Sequence, residues 1–378
     1  MLFKINKKNY ADVLYLVVFA LNIISLIYMA MTILNNGLLG ERYRNMYFAI
    51  MIFLEIIFLV SIRWKIPKII SMFFMVVIII SHLVIAKYLN DSLNSLEIMN
   101  RKSESAISVK DKDSGGSYNI YLSGIDTEGN ISNVSRSDVN LILNINANKK
   151  SAVIVSIPRD SYVRISGGGK NEYDKLTHSG IYGIDSSIST VENIIDQEID
   201  YYFRVNFSSF VKLIDLIGGI DVYNKEDFTS RHGKYHFSKG IVHLDGKMAL
   251  GFARERYSLS NGDLDRGRNH EIIIEAVLKK LVSLKSIGDY GKILKVMEDS
   301  IQTNMPKDKM IELFNYQLNH DGDWKFELLD IKGAGKSGLK SFAMPDSKLF
   351  MYVLDESSLK AVQNRLKENY SNAGINQN

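Results

Sequence analysis

Hydrophobic and polar positions change their arrangement along the chain, and each change marks a different kind of structure. Residues 14–34, 47–62 and 66–86 are nearly unbroken apolar runs. The first and third, at ~20 residues, are long enough to cross the hydrocarbon core as helices. The second is shorter and carries Glu55. A carboxyl inside a membrane helix is costly, so Glu55 predicts a polar contact within a small helical bundle. From about residue 90 the composition turns to Ser, Lys, Glu, Asp and Gly, ending in Ser114-Gly115-Gly116-Ser117. That reads as a stalk, helical at first and flexible near its end.

Beyond the stalk the periods shorten. Residues 118–123 favour a strand that ends at Gly124, and residues 139–145 alternate strictly. Val139, Leu141, Leu143 and Ile145 fall on one face; Asn140, Ile142, Asn144 and Asn146 fall on the other. Residues 151–157 form an apolar run of buried-strand length. Asn206 and Ser208 are candidate caps for a helix whose Phe207, Phe210, Val211, Ile214 and Ile217 form an apolar stripe, read as core packing and ended by Gly218-Gly219. A second helix starts near Asp263 or Asp265 and runs through Ile273, Val277 and Leu281; Pro306 suits the first turn of a third. Late strands are expected at 324–331 and 349–354. Interleaved strands and helices predict an α/β domain with helices on both faces of its sheet. The expected layout is therefore a three-helix membrane anchor at 1–89, a stalk at 90–116, an α/β catalytic domain at 117–368 and a disordered tail at 369–378.

Charge then sets direction. Lys4, Lys7 and Lys8 precede the first span, and Arg63, Lys65 and Lys68 separate the second from the third, whereas the first loop has Arg42 and Arg44 beside Glu41. The positive-inside rule places the N-terminus in the cytoplasm and everything after Lys87 outside. Net charge of +4 does not suggest a nucleic-acid binder, and no nucleic-acid partner is expected. Without any cysteine there is no disulfide, thiolate metal site or cysteine nucleophile.

Candidate chemistry gathers at the ends of the elements. Asp126 follows the first strand, Ser135-Arg136-Ser137-Asp138 opens the second, and Ile157-Pro158-Arg159-Asp160 closes the third. Arg254-Glu255-Arg256, if extended, points both arginines to one side and Glu255 away. Arg266 lies in the first turn of a helix, where a cation opposes the helix dipole; a bound anion would favour it there. His270 shares its face one turn on. Together these predict a phosphate site. Other matches fail: Gly167-Gly168-Gly169-Lys170 lacks the P-loop spacing, no HExxH or GxSxG occurs, residues 126–137 lack the glycine and glutamate of an EF-hand, and Asn133-Val134-Ser135 is a glycosylation sequon only in form.

Ser123-Gly124-Ile125-Asp126, Arg136-Ser137-Asp138, Ser156-Ile157-Pro158-Arg159-Asp160, Gly218-Gly219-Ile220-Asp221-Val222, Leu244-Asp245-Gly246, Arg254-Glu255-Arg256 and Asp263-Leu264-Asp265-Arg266-Gly267-Arg268 occur in one order. In that order they resemble the LytR–CpsA–Psr (LCP) family over roughly residues 117–367, and the three-span anchor is similar to its capsule-associated CpsA-like branch. The resemblance implies a three-layer α/β/α sandwich with a mixed central sheet and a long apolar pocket for a polyprenyl tail. It implies transfer of a polysaccharide or teichoic-acid phosphate from undecaprenyl pyrophosphate to a peptidoglycan sugar hydroxyl at the membrane's outer face. It also implies Mg²⁺ (or Mn²⁺) on Asp126 and Asp138, with Arg136, Arg159, Arg254, Arg256 and Arg266 around the phosphates and His270 and Lys175 nearby. Relatives commonly carry Gln where His270 stands, and imidazole adds a titration near neutral pH. Asp138 and, less strongly, Lys175 are candidate general bases. Hydrolysis by a lipid pyrophosphatase, or a non-catalytic polyprenyl-phosphate-binding regulator, remain open as alternatives.

Overall fold

The computed structural model describes residues 7–37, 39–101, 116–126, 135–283, 287–298, 301–319 and 323–371. Lys4, the stalk from 102 to 115, Asn133 of the sequon and the tail from 372 lie outside them. Three long helices come first: α1 (Lys7–Asn36), α2 (Glu41–Ser61) and α3 (Lys65–Arg101), followed by α4 (Leu176–Ser179), α5 (Ile184–Ile195), α6 (Phe207–Leu216), α7 (Gly246–Arg254), α8 (Asp263–Ser283), α9 (Ile287–Met297), α10 (Lys307–Asn319) and α11 (Glu356–Tyr370). The strands are β1 (Ser117–Ile125), β2 (Ser137–Asn146), β3 (Ser151–Ser156), β4 (Tyr162–Arg164), β5 (Tyr173–Lys175), β6 (Tyr201–Asn206), β7 (Ile220–Asn224), β8 (Phe228–Thr229), β9 (His236–Phe237), β10 (Gly240–Leu244), β11 (Ile301–Thr303), β12 (Lys325–Asp330), β13 (Gly333–Ser337) and β14 (Phe350–Leu354).

By contact, the chain forms two compact units. One holds Met1–Ser95 with Ser286–Lys295 and Asp308–Asp321; the other holds Leu96–Lys285, Val296–Lys307 and Gly322–Asn378. In the first unit, α1, α2 and α3 each contain a stretch long and apolar enough to span a membrane. Residues 90–101, where the stalk was expected to begin, continue α3 as helix. Polar groups meet between the helices, as a low-dielectric surrounding demands: Asn22 donates to Glu55, and His82 bonds Ser25 at 3.0 Å through Nδ1 and Tyr47 at 2.8 Å through Nε2. Glu55 thus has the interhelical contact that its cost predicted. Two late segments belong to this unit as well. Asn315 donates to the Gly37 carbonyl at 2.6 Å, and a Cβ on Gly291 would fall 2.1 Å from the Tyr88 hydroxyl.

The second unit is built on a six-stranded mixed sheet of order β11-β6-β1-β2-β3-β12. β1 and β6, and β3 and β12, run parallel; β1–β2, β2–β3 and β6–β11 are antiparallel. Because side chains alternate along each strand, the two faces differ. Tyr121, Ile142, Val153, Val155 and Tyr202 pack against Ile188, Val191 and Ile195 of α5 and Val362 and Leu366 of α11 as a closed core. On the other face Leu122, Val139, Leu141, Phe203 and Val205 meet side chains of α6, α7 and α8 around a hollow. This is the α/β/α arrangement with a mixed sheet.

The asparagine side of β2 is buried. Asn140, Asn144 and Asn146 are at most 2 % exposed. Asn144 donates to Asn119 at 2.6 Å and accepts from Asn369 at 2.7 Å, while Asn146 donates to the Asn369 carbonyl. The network ties β1 and β2 to the end of α11, with each buried amide given partners. As expected, Asn206 caps α6, accepting from the Ser209 amide at 2.9 Å. Gly218 and Gly219 then leave it with φ of +78° and +76°, a conformation that side chains resist.

Candidate active site

Asp126 and Asp138 owe their positions to a break in the β1–β2 ladder. Gly124 pairs with Val139 and Ile125 with Ser137, which leaves Asp138 as the extra residue of a bulge. A bulge bends the strand and re-aims the side chain it frees. Gly124 is required opposite it, since a Cβ there would come within 2.8 Å of Val139. Asp138 is then held by Arg159, whose Nη1 lies 2.6 Å from Oδ1, and Asp126 pairs more loosely with Arg254 at 3.4 Å.

Both carboxylates border two cavities. The first, about 370 Å³, is the hollow over the sheet: Phe207, Phe210 and Leu213 of α6, Leu250 of α7 and Ile273, Ile274 and Val277 of α8 give it apolar walls. Phe207 and Phe210 were expected in the core and instead line this space; Ile214, on the same stripe of α6, is fully buried as expected. Asp126, Asp138, Arg159, Arg254, Arg256 and Arg266 also line it. With four arginines against two carboxylates, the polar part of the cavity favours an anion.

Each arginine is placed by its own element. Arg254 ends α7 and lies 4.7 Å over the Phe207 ring; Arg256 lies 4.4 Å over the Tyr257 ring. Between them Glu255 turns inward, 2 % exposed, as the alternation predicted. It accepts from the backbone amides of Arg231, Arg256, Tyr257 and Ser258. Burial works to raise its pKa, but these amides outweigh it and hold the carboxyl below its usual range. Arg266 sits in the first turn of α8, almost buried and paired with Asp263 at 2.5 Å. Burial is the main cause pulling its pKa down, and Arg159 adds to it while Asp263 opposes.

His270 lines the same cavity and donates through Nε2 to the Ala253 carbonyl at 2.8 Å. The near-neutral titration expected of it is corrected here. Burial, then Arg266, push its pKa down to about 3, so the ring stays uncharged at physiological pH.

The second cavity, about 600 Å³, shares Asp126, Asp138 and Arg159 with the first; the rest of its wall is mostly polar, with Met344 and Leu349 as its apolar members. Arg136 and Lys175 border this cavity and not the apolar one, so the expected cluster is divided, with Arg159 at the junction. Lys175 is paired with Asp160 at 2.6 Å. His178 and Thr177 also line it. Among the described residues no group of three or more His, Asp or Glu converges as a metal site.

Sequence reasoning missed four contributors. Buried Arg204 donates to the Ser135 carbonyl at 2.9 Å and so holds the approach to Arg136 and Asp138. Tyr257 stacks under both Arg231 and Arg256. Asp174 and His178 bond each other at 2.8 Å; their four-residue spacing was a readable signal, hidden because Asp174 lies in β5 and His178 in the four-residue α4.

The profile of the LytR_cpsA_psr family matches residues 83–368. The polyisoprenyl-teichoic acid–peptidoglycan teichoic acid transferase TagU of Bacillus cereus is 33% identical over 270 residues, covering 68% of this chain and 84% of that protein. TagU of Bacillus mycoides is 35% identical over 253 residues, covering 63% of this chain and 80% of its own length. Among solved structures, TagT bound to LIIa-WTA superposes with a TM-score of 0.57 at 28% identity, over 72% of this chain and 98% of TagT. B. subtilis TagV gives 0.57 at 26% identity, over 67% and 97%. With its fold, its ordered motifs and this match over most of its length, the chain belongs to the LytR_cpsA_psr family.

Proposed function

We propose that this protein is a glycopolymer phosphotransferase, moving a teichoic-acid or capsular-polysaccharide phosphate from undecaprenyl pyrophosphate to a peptidoglycan sugar hydroxyl and releasing undecaprenyl phosphate. One observation carries the reading: an apolar cavity shares its lining with four arginines and two carboxylates. A polyprenyl chain suits the apolar walls, and its pyrophosphate suits the charged part. Guanidinium forks match phosphate oxygens bidentately. Arg159, Arg254, Arg256 and Arg266 would neutralise charge that builds during transfer, where positioning and electrostatics supply most of the acceleration. Arg136 and Lys175 would serve groups in the second cavity.

Asp126 and Asp138 fit Mg²⁺, which takes one or two carboxylates and completes its shell with phosphate oxygens and water. The ion would supply charge neutralisation at the pyrophosphate. The orientation set by the basic loops would put the site at the outer face, beside both lipid carrier and wall.

The test uses the full chain in detergent or nanodiscs, with a polyprenyl-pyrophosphate-linked sugar and peptidoglycan fragments, with Mg²⁺ or with EDTA. Sugar phosphate joined to peptidoglycan and free lipid phosphate are both counted. Metal-dependent coupling lost in Asp138→Ala and Arg266→Ala is expected. Lipid phosphate released without coupling would indicate a hydrolase, and tight lipid binding without turnover would leave only a binding protein.

A further inference from the structure

The apolar cavity accounts for a lipid donor but leaves the attacking hydroxyl without a place or a base. Of the two bases that the sequence suggested, both are engaged. Asp138 is bonded to Arg159, and the Lys175 ammonium is bonded to Asp160, each at 2.6 Å. The second cavity offers another group. His178 lies on its wall, 2 % exposed, with Nδ1 2.8 Å from Asp174 Oδ1.

Asp174 is held from several sides. Its oxygens accept from the Lys175 amide at 2.7 Å, the Ser341 hydroxyl at 2.8 Å and the Ala343 amide at 2.8 Å. Burial works to raise its pKa, but the bonds from His178, Ala343, Ser341 and Lys175 outweigh it and lower it to about 2. An ionised carboxylate only accepts, so Nδ1 of His178 must carry the hydrogen. Nε2 is then left with its lone pair, and it has no hydrogen-bond partner among the described residues. This is the arrangement in which a carboxylate fixes the tautomer of a basic imidazole.

Two further observations point to the same place. The Thr177 hydroxyl, next in the chain and on the same cavity, is buried without a hydrogen-bond partner among the described residues. The backbone also couples this wall to the phosphate-binding side: the Thr177 amide donates to the Arg159 carbonyl at 2.9 Å and the Leu176 amide to the Ser161 carbonyl at 2.8 Å. The charged groups sharing the cavity with His178 are Asp126, Arg136, Asp138, Arg159, Asp160 and Lys175.

We propose that the second cavity receives the acceptor sugar and that Nε2 of His178 takes the proton from its attacking hydroxyl, with Asp174 as positioning residue. This rests on the transferase reading above. In the step, the hydroxyl oxygen forms a bond to phosphorus as its proton passes to Nε2. The bond from phosphorus to the bridging oxygen breaks with its electron pair, and undecaprenyl phosphate departs as an anion. The imidazolium, paired with Asp174, returns its proton to solvent before the next turnover. The shared lining of Asp126, Asp138 and Arg159 is where donor and acceptor meet.

The experiment measures transfer to peptidoglycan fragments and binding of a fluorescent polyprenyl pyrophosphate by the full chain: wild type, His178→Ala and Asp174→Asn. General-base loss typically costs about 10²–10⁴-fold in rate. We expect a fall of that order in kcat for His178→Ala with lipid affinity unchanged, and partial rescue by added imidazole that grows as imidazole loses its proton. Asp174→Asn, which reverses the favoured tautomer, is expected to lower kcat with lipid binding intact and to shift the acid limb of the pH–rate profile. Transfer by His178→Ala within threefold of wild type overturns the base assignment while leaving the transferase standing. So does a loss that travels with lost lipid binding, or one that imidazole does not relieve while Asp174→Asn keeps the wild-type profile. Absence of transfer by the wild type overturns both readings.

Discussion

Glu255 gives the sharpest test of how the arginines are held. Replacing it with alanine would strip four backbone amides, those of Arg231, Arg256, Tyr257 and Ser258, of their acceptor. A buried donor left unsatisfied costs about 1–3 kcal/mol. If relaxation lets water reach two of the four, the remaining loss is about 2–6 kcal/mol by the same scale. At ~2–4 °C per kcal/mol for a domain of this size, Tm should fall by at least about 4 °C. The arginines flanking Glu255 would lose their registration, and a displacement on the order of 1 Å can cost about 10²-fold in rate. Glu255→Gln keeps one oxygen for residues 256–258 but turns an amide N–H group against that of Arg231, so it should fall between wild type and alanine. The pH dependence has a definite sign. The folded carboxyl is held below its usual range, so its contribution is present above the unfolded pKa and is lost as pH falls through the folded one. Thermal melts from pH 7 downward, with transfer rates at each pH, provide the assay. A Glu255→Ala protein melting within 2 °C of wild type and transferring within twofold would refute the argument that this carboxylate arranges the arginines.

Other substitutions probe separate parts. Arg266→Lys keeps the charge but not the guanidinium fork, so transfer should drop about 10–10³-fold in kcat, scaled from loss of a single oxyanion donor; a rate near wild type would mean that charge alone suffices. His270→Gln should transfer within a few-fold of wild type with an unchanged profile between pH 6 and 8, because the imidazole is already neutral and Gln can donate to the Ala253 carbonyl. Glu271, buried behind β3 and accepting from the Ser156 amide, has its pKa raised to about 9 by burial and then by Asp330. The stability that a raised acid provides is full below its unfolded pKa and declines as pH rises through the folded value, so Glu271→Gln should flatten Tm against pH between about 4.5 and 9. Leu213→Trp, filling the apolar cavity, should weaken polyprenyl binding at least tenfold without lowering Tm, as read by fluorescence titration and melting.

Much of this was legible because it is local. Alternation over 139–145 and the apolar run after Ser151 marked strands that the sheet contains, and Asn206 and the glycine pair marked the ends of α6. Arg254, Arg256 and Arg266 could be picked out by spacing and by their conflict with the helix dipole. What escaped depends on distant partners. Alternation put the asparagines of β2 on one face but could not supply their partners: Asn144 and Asn146 are buried against Asn369, more than 220 residues away, which gives them hydrogen bonds. Nothing near Asp138 in sequence announces a bulge; the register with β1 creates it. Asp174 was not singled out from the sequence, because the groups that hold it, Ser341 and Ala343, lie far along the chain. The separation of Lys175 and Arg136 from the other cations likewise follows from which cavity each strand end reaches.

The two faces of the sheet explain why a site of this kind forms here. Against α5 and α11 the strands bury a closed set of Ile, Val and Tyr side chains, and that face can supply the stability. Against α6, α7 and α8 the same strands leave about 370 Å³ open, lined by Phe207, Phe210, Leu213 and Val277. Larger side chains at Leu213 or Leu250 would fill much of that space. A chain that instead keeps the space, and sets its arginines where the space meets Asp126 and Asp138, is shaped to be completed by an apolar ligand with an anionic head. The bulge, the inward Glu255 and the Asn269 and His270 bonds to the end of α7 then have a common role. They hold the charged rim fixed around a cavity whose apolar walls have little geometry of their own to impose.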